Sequence, residues 1–283
     1  DSTMSMWTRL GYSGENYPAF FNINDETEPY DYLFFNKTSG SQGGPIQFYS
    51  YSGGYNIRRI TNRTFEMGDK FYHIVVRIDT TQSTADDRCR IYVDGEQITS
   101  WTGDYANPSQ GFTSIGHAQS GADYNIGGVG DLRNWDGQMS QIVFTDGQSY
   151  GPDTFGVTDT STGRWIPKDI SSGITYGTHG FRMHYANSAG QTIRDDFSGN
   201  GNDATITNSS YYPSLEANSQ NNLDTVFFNS DYIEFKDISD LRSVFVVLKK
   251  TTPTEAWKFF LGDDNSYHFQ LNHVSSRQLK LVF

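Results

Sequence analysis

The chain has 283 residues, 33 of them acidic against 21 basic, for a formal net charge of −12. Clustered Lys and Arg displace counterions from phosphates, and no stretch here supplies them, so nucleic acid is excluded as a partner. A single cysteine, Cys89, rules out an intrachain disulfide framework and a Cys-based zinc site, and no run approaches the ~18 apolar residues of a membrane-spanning helix, so no membrane insertion is expected.

Abundant Phe and Tyr with frequent Gly and Asn favour many short strands joined by tight turns. In chain order, alternating or β-rich runs predict strands over 4–9, 19–23, 32–36, 46–52, 56–61, 71–79, 88–93, 114–117, 124–127 and 138–145. Apolar and polar residues nearly alternate from Phe71 to Asp79. Arg90-Ile91-Tyr92-Val93 follows after a polar loop and ends in Asp94-Gly95, a turn suited to positive φ. No amphipathic helix of ordinary length competes, so the spacing points to a two-sheet sandwich rather than a parallel α/β sheet.

From Gly147 the texture becomes Gly, Ser and Thr rich, as a connector with little core of its own. A second β-rich block begins near Asp203, with strands predicted over 225–229, 232–236, 243–250, 258–262, 267–272 and 278–283. The domain reading is therefore a sandwich over 1–156, a connector over 157–202 and a second β-rich domain over 203–283. Ser5-Met6-Trp7-Thr8-Arg9 answers Ser243-Val244-Phe245-Val246-Val247, and Phe20-Phe21-Asn22-Ile23 answers Phe259-Phe260-Leu261-Gly262. In the second block a strand precedes this pair, whereas the first opens almost on it. The first domain is thus expected to lack its opening strand or strands, and the second its C-terminal part.

The ordered series Phe71-Tyr72-His73-Ile74-Val75-Val76, Ile91-Tyr92-Val93-Asp94-Gly95, Ile126-Gly127-Gly128 and Trp135-Asp136-Gly137-Gln138 resembles laminin-G or concanavalin A-like domains. Phe144-Thr145-Asp146-Gly147-Gln148-Ser149-Tyr150-Gly151-Pro152-Asp153, Gly163-Arg164-Trp165-Ile166-Pro167 and Asp196-Phe197-Ser198-Gly199-Asn200-Gly201-Asn202-Asp203 resemble the linker after such domains in bacteriophage tail-fibre and other virion proteins. The resemblance implies an all-β, concanavalin A-like jelly-roll sandwich, followed by a connector and a second, partial sandwich-like domain. It also implies display on a virion surface. It names no ligand, since this sandwich hosts lectins, adhesion modules and glycoside hydrolases alike.

A glycosidase needs two carboxylates facing one cleft, often alternating along a strand. Asp86-Asp87, Asp195-Asp196 and Asp263-Asp264 are adjacent pairs that read as turns, and the six histidines form no catalytic spacing. No catalytic residue is assigned, and His73 reads as a structural histidine. Sugar rings stack on exposed aromatics with Asp and Asn nearby for their hydroxyls, which selects Trp101, Asp104, Tyr105, Asn107 and Tyr124 as the carbohydrate site. Tyr12, Tyr17 and Tyr30 form a second candidate surface. No cofactor is required; calcium is the ion to consider, through Asp123, Asn125 and Asp131 in Gly-rich loops, where turn formation is the competing explanation.

With the resemblance, these features lead to the expectation of a non-enzymatic virion surface protein, a tail fibre, spike or capsid-attached appendage, that attaches to host-surface glycans. Other virion subunits are expected partners, with homo-oligomers among them, although no coiled-coil heptad specifies an assembly. The alternatives are a structural or capsid-decoration subunit, and the non-catalytic part of a polysaccharide depolymerase.

Overall fold

The computed structural model describes residues 1–10, 17–24, 28–36, 43–66, 71–113, 122–128, 133, 135, 137–184 and 192–205, together with the strand backbone of 257–262, 268–272 and 279–282. Within the unit Asp1–Val226 these residues form β1 (Ser2–Leu10), β2 (Ala19–Ile23), β3 (Tyr30–Phe35), β4 (Gly43–Tyr51), β5 (Tyr55–Glu66), β6 (Phe71–Ile78), β7 (Cys89–Val93), β8 (Glu96–Gln97), β9 (Tyr124–Ile126), β10 (Gly137–Asp146), β11 (Gly156–Thr158), β12 (Trp165–Pro167) and β13 (Phe181–Met183). Two main antiparallel sheets result, one of six strands ordered β13-β10-β1-β6-β7-β8 and one of five ordered β5-β4-β3-β2-β9, and β11 and β12 pair in a separate two-stranded ribbon. The all-β, two-sheet sandwich expected from the sequence is the architecture observed. The strand predicted over 114–117 lies outside the described residues, as do those over 225–229, 232–236 and 243–250.

Side chains alternate along each strand, so each sheet offers one set of residues to the space between the sheets. The six-stranded sheet contributes Met4, Met6, Ile74, Val76, Ile91, Ile142 and Phe144, and the five-stranded sheet contributes Phe21, Ile23, Leu33, Phe35, Phe48 and Ile57, all buried in one core. Cys89 belongs to this core as well, and burial pushes its thiol up to about 12, which keeps it protonated and unreactive.

Alternation alone does not account for β6, where His73 and Val75 are buried although they point away from that core. Residues 147–184 cover them. Phe155 and Ile170 pack on Val75, Tyr92 and Val143, with Tyr150, Ile174 and Tyr176 around the margin. Beyond them the chain returns as β13, adding an edge strand to the sheet by pairing Phe181 with Phe144. The residues whose texture reads as a connector therefore supply both a second core and a strand.

Trp165 fastens this cover. Its indole N–H donates to His73 Nδ1 over 2.9 Å, Ser5 Oγ lies 2.9 Å from His73 Nε2, and the Trp7 ring stacks on the imidazole at 4.6 Å. An indole N–H only donates, so Nδ1 is the unprotonated nitrogen and Nε2–H donates to Ser5. A Cβ on Gly156 or on Gly95 would be driven into the Trp165 ring, so close approach demands glycine at both. Farther along, the Asp146 carboxylate accepts the His179 Nδ1–H over 2.8 Å. Asp196 accepts the backbone N–H groups of Arg182, Ser198 and Asn202, and the side-chain amides of Asn200 and Asn202 both donate to the Gly180 carbonyl.

The second unit, Phe227–Phe283, contains β14 (Trp257–Gly262), β15 (His268–Asn272) and β16 (Leu279–Val282), an antiparallel three-stranded meander in which Trp257 pairs with Asn272 and His268 with Val282.

Burial drives the His73 pKa down to about 4, against an opposing pull from Asp94. An unfolded imidazole protonates near 6.5, so between these values the unfolded chain holds the extra proton. Stability from this site is complete above about pH 6.5 and is lost as the pH falls toward 4, on the order of 3 kcal/mol in all. Urea unfolding followed between pH 7.5 and 4 is expected to show this decline, and a His73→Gln variant a shallower one.

Candidate functional site

Direct cross-strand partners share a face of a sheet. In the five-stranded sheet Leu33 pairs with Phe48 and Phe48 with Arg59, which sets the inward series. The outward series follows by alternation: Tyr30 pairs with Tyr51 and Tyr51 with Tyr55; Tyr32 pairs with Tyr49 and Tyr49 with Arg58; Phe34 pairs with Gln47 and Gln47 with Ile60. The outer face of this sheet is therefore built of tyrosines, with Asn22 joining it as the partner of Tyr32 on β2.

One half of that face is covered. Ala19, Tyr32 and Phe34 are buried, and the Arg133 guanidinium lies over the rings of Tyr17, Tyr32 and Phe34 at 5.6, 5.1 and 5.8 Å. The half toward β5 is open. Tyr30, Tyr49, Tyr51 and Arg58 are half-buried there, and Tyr55 is 47% exposed. Tyr30 and Tyr51 stack at 5.4 Å with planes 14° apart, while Tyr55 meets Tyr51 edge-on at 5.2 Å and Tyr49 at 5.1 Å. The rings brace one another and present a firm apolar surface with hydroxyls at its margin.

Polar groups are set into this surface. Gln47 Oε1 accepts the Tyr49 hydroxyl at 2.5 Å, whereas Gln47 Nε2 and both amide atoms of the buried Asn22 make no hydrogen bond. Arg58 lies over Tyr49 at 6.0 Å and Tyr55 at 5.3 Å. Burial raises the Tyr49 pKa, a hydrogen bond from Arg58 opposes the rise, and the phenol stays neutral. No outward position in 30–34, 47–51 or 55–60 carries Asp or Glu. Glu28 lies at the 52–54 hairpin, where its carboxylate accepts the Gly53 N–H.

The carbohydrate site expected from the sequence is divided by the fold. Trp101 bridges to Thr61 and Ala106 to Arg58, so this loop runs along the free edge of β5. Trp101 and Tyr105 hold the Arg59 guanidinium between their rings, at 5.1 and 5.0 Å, and Asn107 Oδ1 accepts one of its N–H groups. Arg59 also donates to the carbonyl of Ala106 at 2.8 Å. These aromatics thus each spend one face on a buried cation, although Tyr105 keeps 48% exposure. Asp104 is exposed beside them. Tyr124 is elsewhere, on β9 at the opposite edge of the sheet, where it packs among Phe21, Phe144, Phe181 and His179. Five strand spacings separate it from Trp101, roughly 24 Å, so one sugar ring does not bridge them. Burial, with Asp146 and Asp31 nearby, raises the Tyr124 pKa.

Of the residues weighed for calcium, Asp131 lies outside the described residues. The Asn24 side-chain oxygen accepts the Asp123 N–H, and Asn125 sits in the β2–β9 ladder opposite Asn22. Calcium takes about six to eight oxygens, and among the described residues no three His, Cys, Asp or Glu side chains gather.

Of the second candidate surface, Tyr17 and Tyr30 do belong to the tyrosine face, whereas Tyr12 lies outside the described residues. Tyr49, Tyr51, Tyr55 and Arg58 were legible only through spacing: Tyr-x-Tyr-x-Phe from Tyr30 and Gln-x-Tyr-x-Tyr from Gln47 each put their residues on one face of neighbouring strands.

Two antiparallel sheets packed on one core define the chain's first unit as a β-sandwich protein. Residues 1–142, just over half of the chain, match the family described as the concanavalin A-like lectin/glucanases superfamily, and the chain belongs to it. No curated protein matches. Among solved structures the chain is similar to domain 4 of AbnA, an extracellular arabinanase from Geobacillus stearothermophilus, in complex with arabinotriose, at 11% identity and a TM-score of 0.35 over 53% of this chain and 62% of that one. It is also similar to a candidate carbohydrate binding protein from Bacteroides ovatus, at 16% identity and a TM-score of 0.32 over 58% of this chain and 50% of that one. The chain thus covers less than two thirds of either of these two.

Asn107→Ala would leave a buried guanidinium short of an acceptor, at a cost of about 1–3 kcal/mol in denaturant unfolding. Dialysis against EDTA is expected to leave the melting temperature unchanged; a fall that calcium reverses would establish a rim site, because an ion bound only by the folded state stabilises it.

Proposed function

We propose that the chain is a non-catalytic glycan-binding module that attaches to host-surface glycans through the tyrosine face of its five-stranded sheet. The observation that carries this reading is the open group of Tyr30, Tyr49, Tyr51 and Tyr55, firm enough to receive the C–H face of a pyranose, with Arg58 and the Gln47 amide at hand for hydroxyls. Membership of a lectin superfamily agrees with it. That superfamily also holds glucanases, and the absence of outward carboxylates among these tyrosines is what favours binding over hydrolysis.

The setting proposed is a virion surface, as part of a tail fibre, spike or capsid-attached appendage. Its support is the resemblance carried by residues 144–208. One structural observation favours an additional role in contact with other virion subunits. On the β11–β12 ribbon Val157 pairs with Ile166, and both point outward, 44% and 37% exposed, while the neighbouring Trp165 faces the sheet. An exposed apolar pair on a fastened ribbon suits a protein partner.

Glycan-array binding of the full chain, compared with a Tyr51→Ala/Tyr55→Ala variant, tests the reading. The variant is expected to lose at least about tenfold in affinity, since stacking on two rings is worth a few kcal/mol, with its melting temperature nearly unchanged. Retained binding in that variant, with loss instead in Tyr105→Ala, would move the site to the Trp101 loop.

A further inference from the structure

We infer that the tyrosine face selects acidic glycans, those bearing a carboxylate on the sugar ring, and that Arg58 is the residue that reads the charge. This rests on the glycan-binding reading above and adds the chemical class of ligand.

The inference starts from what Arg58 lacks. Its guanidinium is positioned by two aromatic rings and by the Tyr49 hydroxyl, and among the described residues no carboxylate pairs with it. Arg77 and Arg90, by contrast, are paired with Asp79 at 2.9 Å and Asp87 at 2.6 Å. In a chain with 33 acidic and 21 basic residues, an arginine without a carboxylate partner, among described strand positions that carry no outward Asp or Glu, is a local reversal of sign.

The geometry suits a ligand carboxylate better than a hydroxyl alone. A guanidinium presents parallel N–H groups that match a carboxylate two to two, and charge-assisted bonds of this kind are about twice as strong as neutral ones. The Tyr49 and Tyr55 rings lie against the guanidinium at 6.0 and 5.3 Å and restrict its motion before a ligand arrives, so less side-chain freedom is lost on binding. Tyr51 and Tyr55 flank the same point and offer ring faces for the pyranose that carries the acid. The backbone of Arg58 is held by paired hydrogen bonds with Ala106, at 3.1 and 3.2 Å, which stiffens the edge from which the side chain projects.

Polygalacturonate oligosaccharides and their methyl esters share one backbone and differ only in whether the carboxylate is masked. Biolayer interferometry of the full chain with both, and with sialyllactose against lactose, is expected to show about tenfold or greater preference for the charged member of a pair it binds. Arg58→Gln should bring that ratio close to one, and Arg58→Lys should keep part of it, because a point charge replaces a planar fork. Melting curves confirm that both variants are folded. Equal binding of acid and ester by the wild type, or an unchanged ratio in Arg58→Gln while Tyr51→Ala/Tyr55→Ala loses binding, overturns the charge reading and leaves the glycan face standing. Absence of binding to all four probes and across a wider glycan array overturns both.

Discussion

The structure depends on the covering of the six-stranded sheet from both sides. Its inward face meets the other sheet, and its outward face, with Val75, Tyr92, Val143 and a neutral His73, is apolar enough to require cover. Residues 147–184 provide it, and Trp165 locks the cover by giving His73 the hydrogen bond that fixes its tautomer. A histidine so held has no room for a second ring proton, because the indole N–H already points at Nδ1. Desolvation and hydrogen-bond direction therefore act together, and both favour the uncharged ring.

This cover makes the two sheets unequal. With one outer face sealed by the chain itself, the open outer surface lies on the five-stranded sheet, and there the sequence places tyrosines rather than aliphatic residues. Tyrosine tolerates partial exposure because its hydroxyl stays wet while its ring is half-buried among its neighbours. The surface is thus stable without a partner and apolar enough to gain from one. Arg133 closes the half nearer β2, which confines the accessible rings to the edge along β4 and β5.

Strands were legible wherever period-two alternation was clean. The predicted runs 19–23 and 71–79 meet the observed β2, Ala19–Ile23, and β6, Phe71–Ile78. The role of residues 157–202 was not legible, because Gly, Ser and Thr there build turns and side-chain caps such as those on Asp196, and among the described residues only the scattered Ile170, Phe181 and Met183 are fully buried in the cores, with Trp165 half-buried. Composition sees the turns, and pairing over long sequence distance is invisible to it. The tyrosine face was half legible, since Tyr17 and Tyr30 stood out near loops while Tyr49, Tyr51 and Tyr55 passed as ordinary strand residues. An aromatic in a loop resembles a platform from sequence, yet Trp101 and Tyr105 show that it also serves to shield a buried charge.

Arg58 and Arg59 bring these effects to one place. They are adjacent in sequence, and the strand sends them to opposite faces. Arg59 points into the sandwich, where water is gone and an unsatisfied guanidinium is costly, so carbonyls, Asn107 and two aromatic rings are gathered around it. Arg58 points outward and is half-buried, with no comparable cage of acceptors around it. Both are framed by a pair of aromatic rings, and the difference lies in what remains available afterwards. The inward residue directs its terminal N–H groups to Ala106 and Asn107, which holds the loop to β5. The outward one has no carboxylate partner among the described residues, and its Nε is buried without an acceptor, so the charge is oriented by the fold but not consumed by it.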